Sequence, residues 1–91
     1  VIGNDLRWNA EHQIQLREYG PQRLIGCSLA ETARYHQVAT ALGGFGTFVT
    51  AAAEIDAALR AAAASGLPAC VDVRIDGQPA PVFAPAVPKV H

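Results

Sequence analysis

The sequence contains no methionine among its 91 residues, and it opens directly on the apolar pair Val1-Ile2. Since translation starts with methionine and this chain starts within an apolar run, we expect it to be a fragment of a longer protein. No basic segment followed by an apolar stretch is found near Val1, so no secretory signal peptide is expected.

Charge of either sign is also scarce. Only 16% of the residues are charged, the net charge is −1, and the seven Lys and Arg residues are scattered along the chain. Because binding to nucleic acid needs clustered basic residues, no nucleic-acid partner is expected. No run of about 18 apolar residues occurs, so a membrane-spanning helix is not expected either.

The two cysteines lack the spacing of a zinc site. Cys27 and Cys70 lie far apart in apolar stretches, which is typical of buried, reduced thiols in a cytoplasmic protein. A disulfide between them stays open at this level.

Much of the 51% hydrophobic content is alanine. We therefore expect a thin core that needs a partner surface.

Strand and helix signals alternate along the chain. The predicted elements, in order, are a strand end at 1–3, a helix over 10–19, a helix after an N-cap at Thr32, a strand at 47–49, a helix after an N-cap at Thr50, and a strand over 69–75. Residues 24–28 fit either a short strand or a loop. The second helix carries Tyr35, Val38, Ala39 and Leu42 on one face, with His36 beside that face as a partly exposed structural residue.

This order of elements predicts an α/β fold with a parallel sheet covered by helices. Residues 77–91 contain four prolines, Pro79, Pro81, Pro85 and Pro88. Because proline disrupts both helices and central strands, we expect an extended C-terminal tail. The glycine-rich residues 43–46 follow a helix and precede a strand, which is the wrong order for phosphate binding, so they are expected to form a turn.

The segment Gly3-Asn4-Asp5-Leu6-Arg7-Trp8 follows a predicted strand and precedes a helix. It therefore lies at the carboxyl end of a parallel strand, where open α/β sheets bind ligands. Asn4 and Asp5 offer hard oxygen atoms of the kind that Mg²⁺ prefers. The alternative is an Asn-Asp turn whose side chains only hold the backbone and cap the helix.

Residues 1–10 resemble the closing half of the thiamine-diphosphate motif, which ends in an Asn-Asn pair or its Asn-Asp variant. The resemblance continues nearly to Asp76. Residues 19–24 contain a Gly-Pro-x-Arg turn similar to that of the acetolactate-synthase-like and benzaldehyde-lyase-like enzymes, and further similar stretches are residues 35–39, 42–46 and 65–73. On this resemblance, residues 1–76 are the distal half of a thiamine-diphosphate-binding domain.

The resemblance implies roles for individual residues. Asn4 and Asp5 would bind the cofactor, with the Asp5 side chain on a Mg²⁺ ion and the backbone carbonyl of Arg7 as a second metal ligand. Trp8 and Ile14 match positions that line the substrate pocket. For Trp8, a core or interface anchor is the open alternative.

The resemblance also implies what lies elsewhere. The first metal-binding aspartate would precede Val1, and the catalytic glutamate would come from another domain, usually that of a second subunit in a homodimer or homotetramer. No catalytic residue is therefore assigned here. Glu11, Glu18, Glu31 and Glu54 are interpreted as solvated helix residues, and the chain alone is expected to be inactive.

The parent enzyme would make or break a carbon–carbon bond next to a carbonyl group of a 2-keto acid or an aldehyde. It would be a transferase or a lyase, and the acetolactate-synthase-like reaction ranks first on overall similarity. Aldehyde ligation or cleavage and 2-keto acid decarboxylation stay open. A second hypothesis is a non-catalytic α/β interaction or assembly module. A third is a small-ligand-binding α/β domain unrelated to the family.

Overall fold

The longest of the described strands lies at the centre of a parallel sheet. The computed structural model describes residues 1–79, which contain the strands β1 (Ile2–Asn4), β2 (Phe45–Val49) and β3 (Ala69–Arg74) in the order β1-β3-β2. Both neighbours pair with β3 in parallel, and Asp72 has Ile2 on one side and Phe48 on the other. The predicted α/β class with a parallel sheet is confirmed.

In the described part of the chain, three α-helices accompany the sheet: α1 (Asn9–Tyr19), α2 (Tyr35–Ala41) and α3 (Ile55–Ser65). Two short 3₁₀-helices, Pro21–Arg23 and Ala52–Glu54, lie in the connections. Helix α2 packs on β2 and β3, as does α3, whereas α1 packs mainly on the first 3₁₀-helix. Residues 24–28, left open between strand and loop, form a loop with one isolated bridge at Ser28.

The apolar core lies between α3 and the sheet. Val49, Val71 and Val73 project from β2 and β3 onto Ala58, with Ile55 and Ala62 packed at the margin. Alanines at the helix surface allow α3 to approach the sheet closely, and Gly66 ends the helix in the left-handed conformation. The core is small, because the helix contributes alanine where larger side chains would bury more area.

Helix α2 lies close to the other side of the sheet because two glycines leave space for it. A Cβ atom at Gly46 would clash with the backbone carbonyl of His36, and one at Gly44 would lie 3.1 Å from the carbonyl oxygen of Ala39 and 2.6 Å from that of Pro68. Gly43 adopts a positive φ of 88° where the chain turns out of α2. The turn predicted over residues 43–46 is limited to Gly43 and Gly44, because Phe45 and Gly46 already belong to β2.

Both predicted N-caps are wrong. Helix α2 begins at Tyr35, and Thr32 lies in a turn before it. The Arg34 side chain donates to the carbonyls of Glu31 and Ala33, which stabilises that turn. Helix α3 begins at Ile55 after a 3₁₀ turn and has no side-chain cap, so Thr50 does not cap it. Backbone hydrogen bonds from the Gln37 N–H to the Arg34 carbonyl and from the Glu54 N–H to the Ala51 carbonyl lie where the hydroxyl caps were expected.

The apolar face of α2 lies away from the sheet. Leu42 is 83% exposed, and Val38 and Tyr35 are also exposed. The side of α2 that faces the sheet carries His36 instead, whose side chain is only 16% exposed. The helix therefore presents apolar side chains outward and a polar one inward, the reverse of an ordinary surface helix.

The predicted C-terminal tail falls largely on residues 80–91, which lie outside the described residues. Its first residues, 77–79, have no regular secondary structure. The carbonyl of Gln78 accepts a 2.6 Å hydrogen bond from the Asn9 side chain at the start of α1. Within residues 1–79, no helix has the length and hydropathy needed to cross a membrane.

Replacement of Gly46 by alanine should destabilise the fold by about 2–3 kcal/mol, because the new methyl group meets backbone rather than a movable side chain. Gly3→Ala is the matched control, since its Cβ would meet only the flexible tip of Ile75 at 3.2 Å. That variant should stay within about 1 kcal/mol of the wild type. Urea denaturation followed by circular dichroism measures both. An equal loss of unfolding free energy in Gly46→Ala and Gly3→Ala would contradict the close contact of α2 with β2.

Candidate functional site

The turn that follows β1 is held by two side chains of its own. The side-chain oxygen of Asn4 accepts a 3.0 Å hydrogen bond from the Leu6 N–H, and Asp5 Oδ1 accepts a 3.1 Å bond from the Arg7 N–H. Leu6 has a φ of 62° and is the one non-glycine residue with positive φ in residues 1–79. The turn-forming role considered from sequence is therefore present, although neither side chain caps α1.

The loop over residues 24–28 closes against this turn. The Trp8 N–H donates to the Cys27 carbonyl and the Leu29 N–H donates to the Leu6 carbonyl, each at 2.7 Å. Cys27 is buried and Cys70 is partly buried, and both thiols are free. The disulfide left open from sequence is not formed. The two backbone bonds fix the position of Leu6 and Trp8 relative to the loop.

Four of the predicted site residues line one cleft. An open cleft of about 260 Å³ beside the carboxyl end of β1 is lined by Ile2, Gly3, Asn4, Asp5, Arg7, Trp8, Leu29 and Tyr35. Ile14 lies apart from them, in a second cleft of about 330 Å³ formed by α1 and residues 78–79. The structure thus brings Asn4, Asp5, Arg7 and Trp8 together, and it does not bring Ile14 to them.

The donor atoms in the first cleft suit a hard cation. Asp5 is half-buried, only its Oδ1 is used in the turn, and its carboxylate makes no ion pair within residues 1–79. In the same part of the chain, no backbone N–H of a turn or cap donates to the Arg7 carbonyl. A carboxylate and a carbonyl oxygen fit Mg²⁺, which takes one or two protein oxygens and completes its shell with water and phosphate.

These donors do not make a complete metal centre. Within the described chain, no group of three or more His, Cys, Asp or Glu side chains is placed to hold a metal ion. The oxygens of Asp5 and Arg7 are therefore fewer than a complete metal centre requires.

A buried carboxylate lies behind the cleft, and the sequence analysis missed it. Asp72 is 0% exposed at the middle of β3, and its Oδ1 accepts a 3.3 Å hydrogen bond from the Asn4 side-chain amide. Its Oδ2 is 3.9 Å from His36 Nδ1, too far for a direct hydrogen bond. An acidic residue at the centre of an apolar strand was the available signal, because such burial is costly without a partner.

Cationic side chains surround the same region of the sheet. The Phe48 ring stacks on His36 with 5.4 Å between ring centroids, and the guanidinium carbons of Arg34 and Arg74 lie 5.4 and 5.8 Å from the Phe48 centroid. Arg74 Nε and His36 Nδ1 are buried and make no hydrogen bond within residues 1–79. The face of the sheet under α2 is therefore polar and positively charged around Asp72, in contrast to the apolar face under α3.

The chain is similar to acetolactate synthases of mycobacteria. It is 42% identical over 76 residues both to a probable acetolactate synthase of Mycobacterium bovis and to the acetolactate synthase large subunit IlvG of Mycobacterium tuberculosis. The matched segment is 84% of this chain but only 14% of either relative, so the chain spans about a seventh of their length. No family model matches the chain. No solved structure matches it either.

This similarity agrees with the resemblance identified from the motifs of the sequence.

Proposed function

We propose that this homologue of acetolactate synthases is the distal half of a diphosphate-binding domain, formed by residues 1–76 of a larger enzyme that depends on thiamine diphosphate and Mg²⁺. The enzyme would make or break a carbon–carbon bond next to a carbonyl, with acetolactate-type condensation of 2-keto acids as the first candidate. The observation that carries the proposal is the single cleft at the carboxyl end of β1 that holds Asn4, Asp5, Arg7 and Trp8.

Asp5 and Arg7 are the residues that would hold the cation. The free Oδ2 of Asp5 supplies negative charge and the Arg7 carbonyl supplies a neutral oxygen, so together they would bind Mg²⁺ against the cofactor's diphosphate. When bound, thiamine diphosphate supplies the electron sink for carbon–carbon chemistry. Asn4 would contribute through the turn, since both ends of its amide are already hydrogen-bonded.

Trp8 is the better candidate for contact with the substrate. It lines the same cleft as Asp5 and is 63% exposed, so a large apolar surface is available beside the proposed metal site. Ile14 lines a different cleft. A 2-keto acid or an aldehyde bound near the cofactor would therefore pack against Trp8 rather than Ile14.

The missing parts of the site would come from elsewhere in the enzyme. The proposal assigns a further metal-binding aspartate to the segment before Val1, and the catalytic glutamate to a second subunit of a homodimer or homotetramer. A cytoplasmic location is proposed from the two free thiols, Cys27 and Cys70. The chain by itself would have no catalytic activity.

The exposed face of α2 also favours a second candidate function. Tyr35, Val38 and Leu42 form an outward apolar surface, which suits a non-catalytic interaction or assembly module. A domain cut from a larger enzyme would expose the same surface. The two candidates differ in cofactor binding, because only the enzyme requires Mg²⁺ and thiamine diphosphate in the full-length protein.

Asp5→Ala in the full-length protein should weaken Mg²⁺-dependent binding of thiamine diphosphate by about tenfold or more, because a charged ligand is lost. Asp5→Asn keeps an oxygen that can bind the metal and the oxygen that accepts the turn hydrogen bond, so its affinity for the cofactor should fall much less. Glu11→Ala, an exposed acid in the first turn of α1, is the control for net charge. Calorimetric titration after dialysis against chelator measures all three. Unchanged affinity in Asp5→Ala would remove Asp5 from the metal site.

Trp8→Ala should raise the KM for the keto acid or aldehyde substrate by roughly tenfold, since apolar contact with the substrate is lost. Ile14→Ala should leave KM within about twofold, because it removes a side chain from the other cleft. Steady-state kinetics of both variants at saturating cofactor measures the difference. A larger effect at Ile14 than at Trp8 would reverse the assignment of the pocket.

The isolated 91-residue chain should show negligible affinity for Mg²⁺–thiamine diphosphate, because two protein oxygens alone cannot hold the complex. Isothermal titration calorimetry of the purified chain checks this expectation. Binding at micromolar cofactor would mean that residues 1–91 contain a complete site, which contradicts the division proposed here.

A further inference from the structure

We propose that Asp72 is a positioning residue for the turn that carries the candidate site. It fixes the orientation of the Asn4 side-chain amide, and that amide holds the backbone next to Asp5 and Arg7, which line the cleft. The consequence for metal binding rests on the proposed function; the effect on the turn does not.

The first step is the location of Asp72. It lies at the middle of the central strand, is fully buried, and shares a sheet face with its neighbours in register, Ile2 and Phe48. A carboxyl group at this place loses its hydration, and that loss must be offset by polar partners. In the described chain, the Asn4 amide is the group that donates a hydrogen bond to it.

The second step concerns the two ends of the Asn4 amide. Asn4 is 5% exposed, its Nδ2 donates to Asp72 Oδ1, and its Oδ1 accepts from the Leu6 N–H. If the Asn4 amide were rotated by half a turn, its oxygen would face the Asp72 carboxylate and its NH₂ group would face the Leu6 N–H. Both contacts would be repulsive, so Asp72 determines which end of the amide faces Leu6.

The third step is what the Leu6 bond holds. Leu6 adopts φ 62°, a conformation that is unfavourable for a residue with a side chain and persists only where its surroundings fix it. Its N–H bonds to Asn4, and its carbonyl accepts from Leu29. Asp5 and Arg7 flank this residue, so loss of the Asn4 bond would loosen the backbone between the two candidate ligands.

The alternative explanation is that Asp72 stabilises only the packing of α2, through its interaction with His36. Their closest atoms are 3.9 Å apart, whereas the Asn4 contact is 3.3 Å. The alternative predicts that changes at His36 and Asp72 have the same effect on the turn. Our proposal predicts that only Asp72 affects it.

Hydrogen–deuterium exchange in the full-length protein tests the effect on the turn. The measured quantity is the exchange rate of peptides that contain Leu6, divided by that of peptides that contain Phe45. Phe45 is the first residue of β2, the strand farthest from the turn, and its N–H donates to the Pro68 carbonyl. Asp72→Val removes the acceptor and should raise this ratio about tenfold. Asp72→Asn retains an acceptor oxygen and should stay within about twofold.

Two controls separate positioning from general destabilisation. Val71→Ala weakens the core on the opposite face, and His36→Gln removes the imidazole beside Asp72. Neither should change the Leu6 to Phe45 ratio by more than about twofold. An Asp72→Val ratio that does not exceed the Val71→Ala ratio would overturn the proposal, as would an equal response to His36→Gln.

A second pair of variants serves if Asp72→Val does not fold. Asn4→Asp places two carboxylates in buried contact and should raise the ratio. Adding Asp72→Asn restores one donor and one acceptor, so the double variant should return to within about twofold of the wild type. The proposal would be contradicted if the exchange ratio of the double variant were as high as that of Asn4→Asp alone.

Calorimetric titration of the same variants with thiamine diphosphate and Mg²⁺ tests the link to the site. Asp72→Val should bind about tenfold more weakly and Asp72→Asn should be nearly unchanged. A wild type that binds no cofactor, with a Leu6 response as expected, would refute the proposed function and support the positioning role. Equal cofactor binding in wild type and Asp72→Val would refute the link between the turn and the metal.

Discussion

The burial of a carboxyl group at the centre of a three-stranded sheet is the constraint around which the rest of this chain is arranged. Asp72 is flanked by Val71 and Val73, and polar atoms of the strand beside it and of the helix above it approach its carboxylate. The strand beside it supplies Asn4, and the helix above it supplies His36. One sheet face consequently packs through valine and alanine, whereas the other brings together a carboxyl group, an amide, an imidazole and two guanidinium groups.

The thin core follows from the same arrangement. Among residues 1–79, the apolar side chains buried against the sheet lie on its α3 side, and they are small. The apolar residues of α2 point away from the sheet, because the inward side of that helix is occupied by His36 and by backbone lying against Gly46. A chain that exposes Leu42 and Val38 while it buries Asp72 gains little from hydrophobic burial alone. Such a balance is typical of a unit that is stabilised by contacts with further protein surface.

Much of the fold was accessible from the sequence, because strands and helices leave periodic patterns over several residues. The three strands and the long helices were placed correctly, and the parallel topology followed from their order. The caps at Thr32 and Thr50 were wrong, since hydroxyl residues before an apolar run resemble caps whether or not the backbone uses them. Asp72 was missed for a different reason. Its partner Asn4 is 68 positions away, and a pattern within one strand carries no information about that distance.

The Asn-Asp pair shows how adjacent residues take opposite roles at the end of a strand. Successive side chains of a strand point to opposite sides, so one member of the pair faces the sheet interior and the next faces outward. Asn4 is buried, and each end of its amide makes a hydrogen bond that holds the turn or the sheet. Asp5 is half-buried, lines the cleft and keeps one carboxylate oxygen outside the turn. The interpretation of the pair as a mere turn and its interpretation as a ligand site are therefore not exclusive: Asn4 satisfies the first and Asp5 is available for the second.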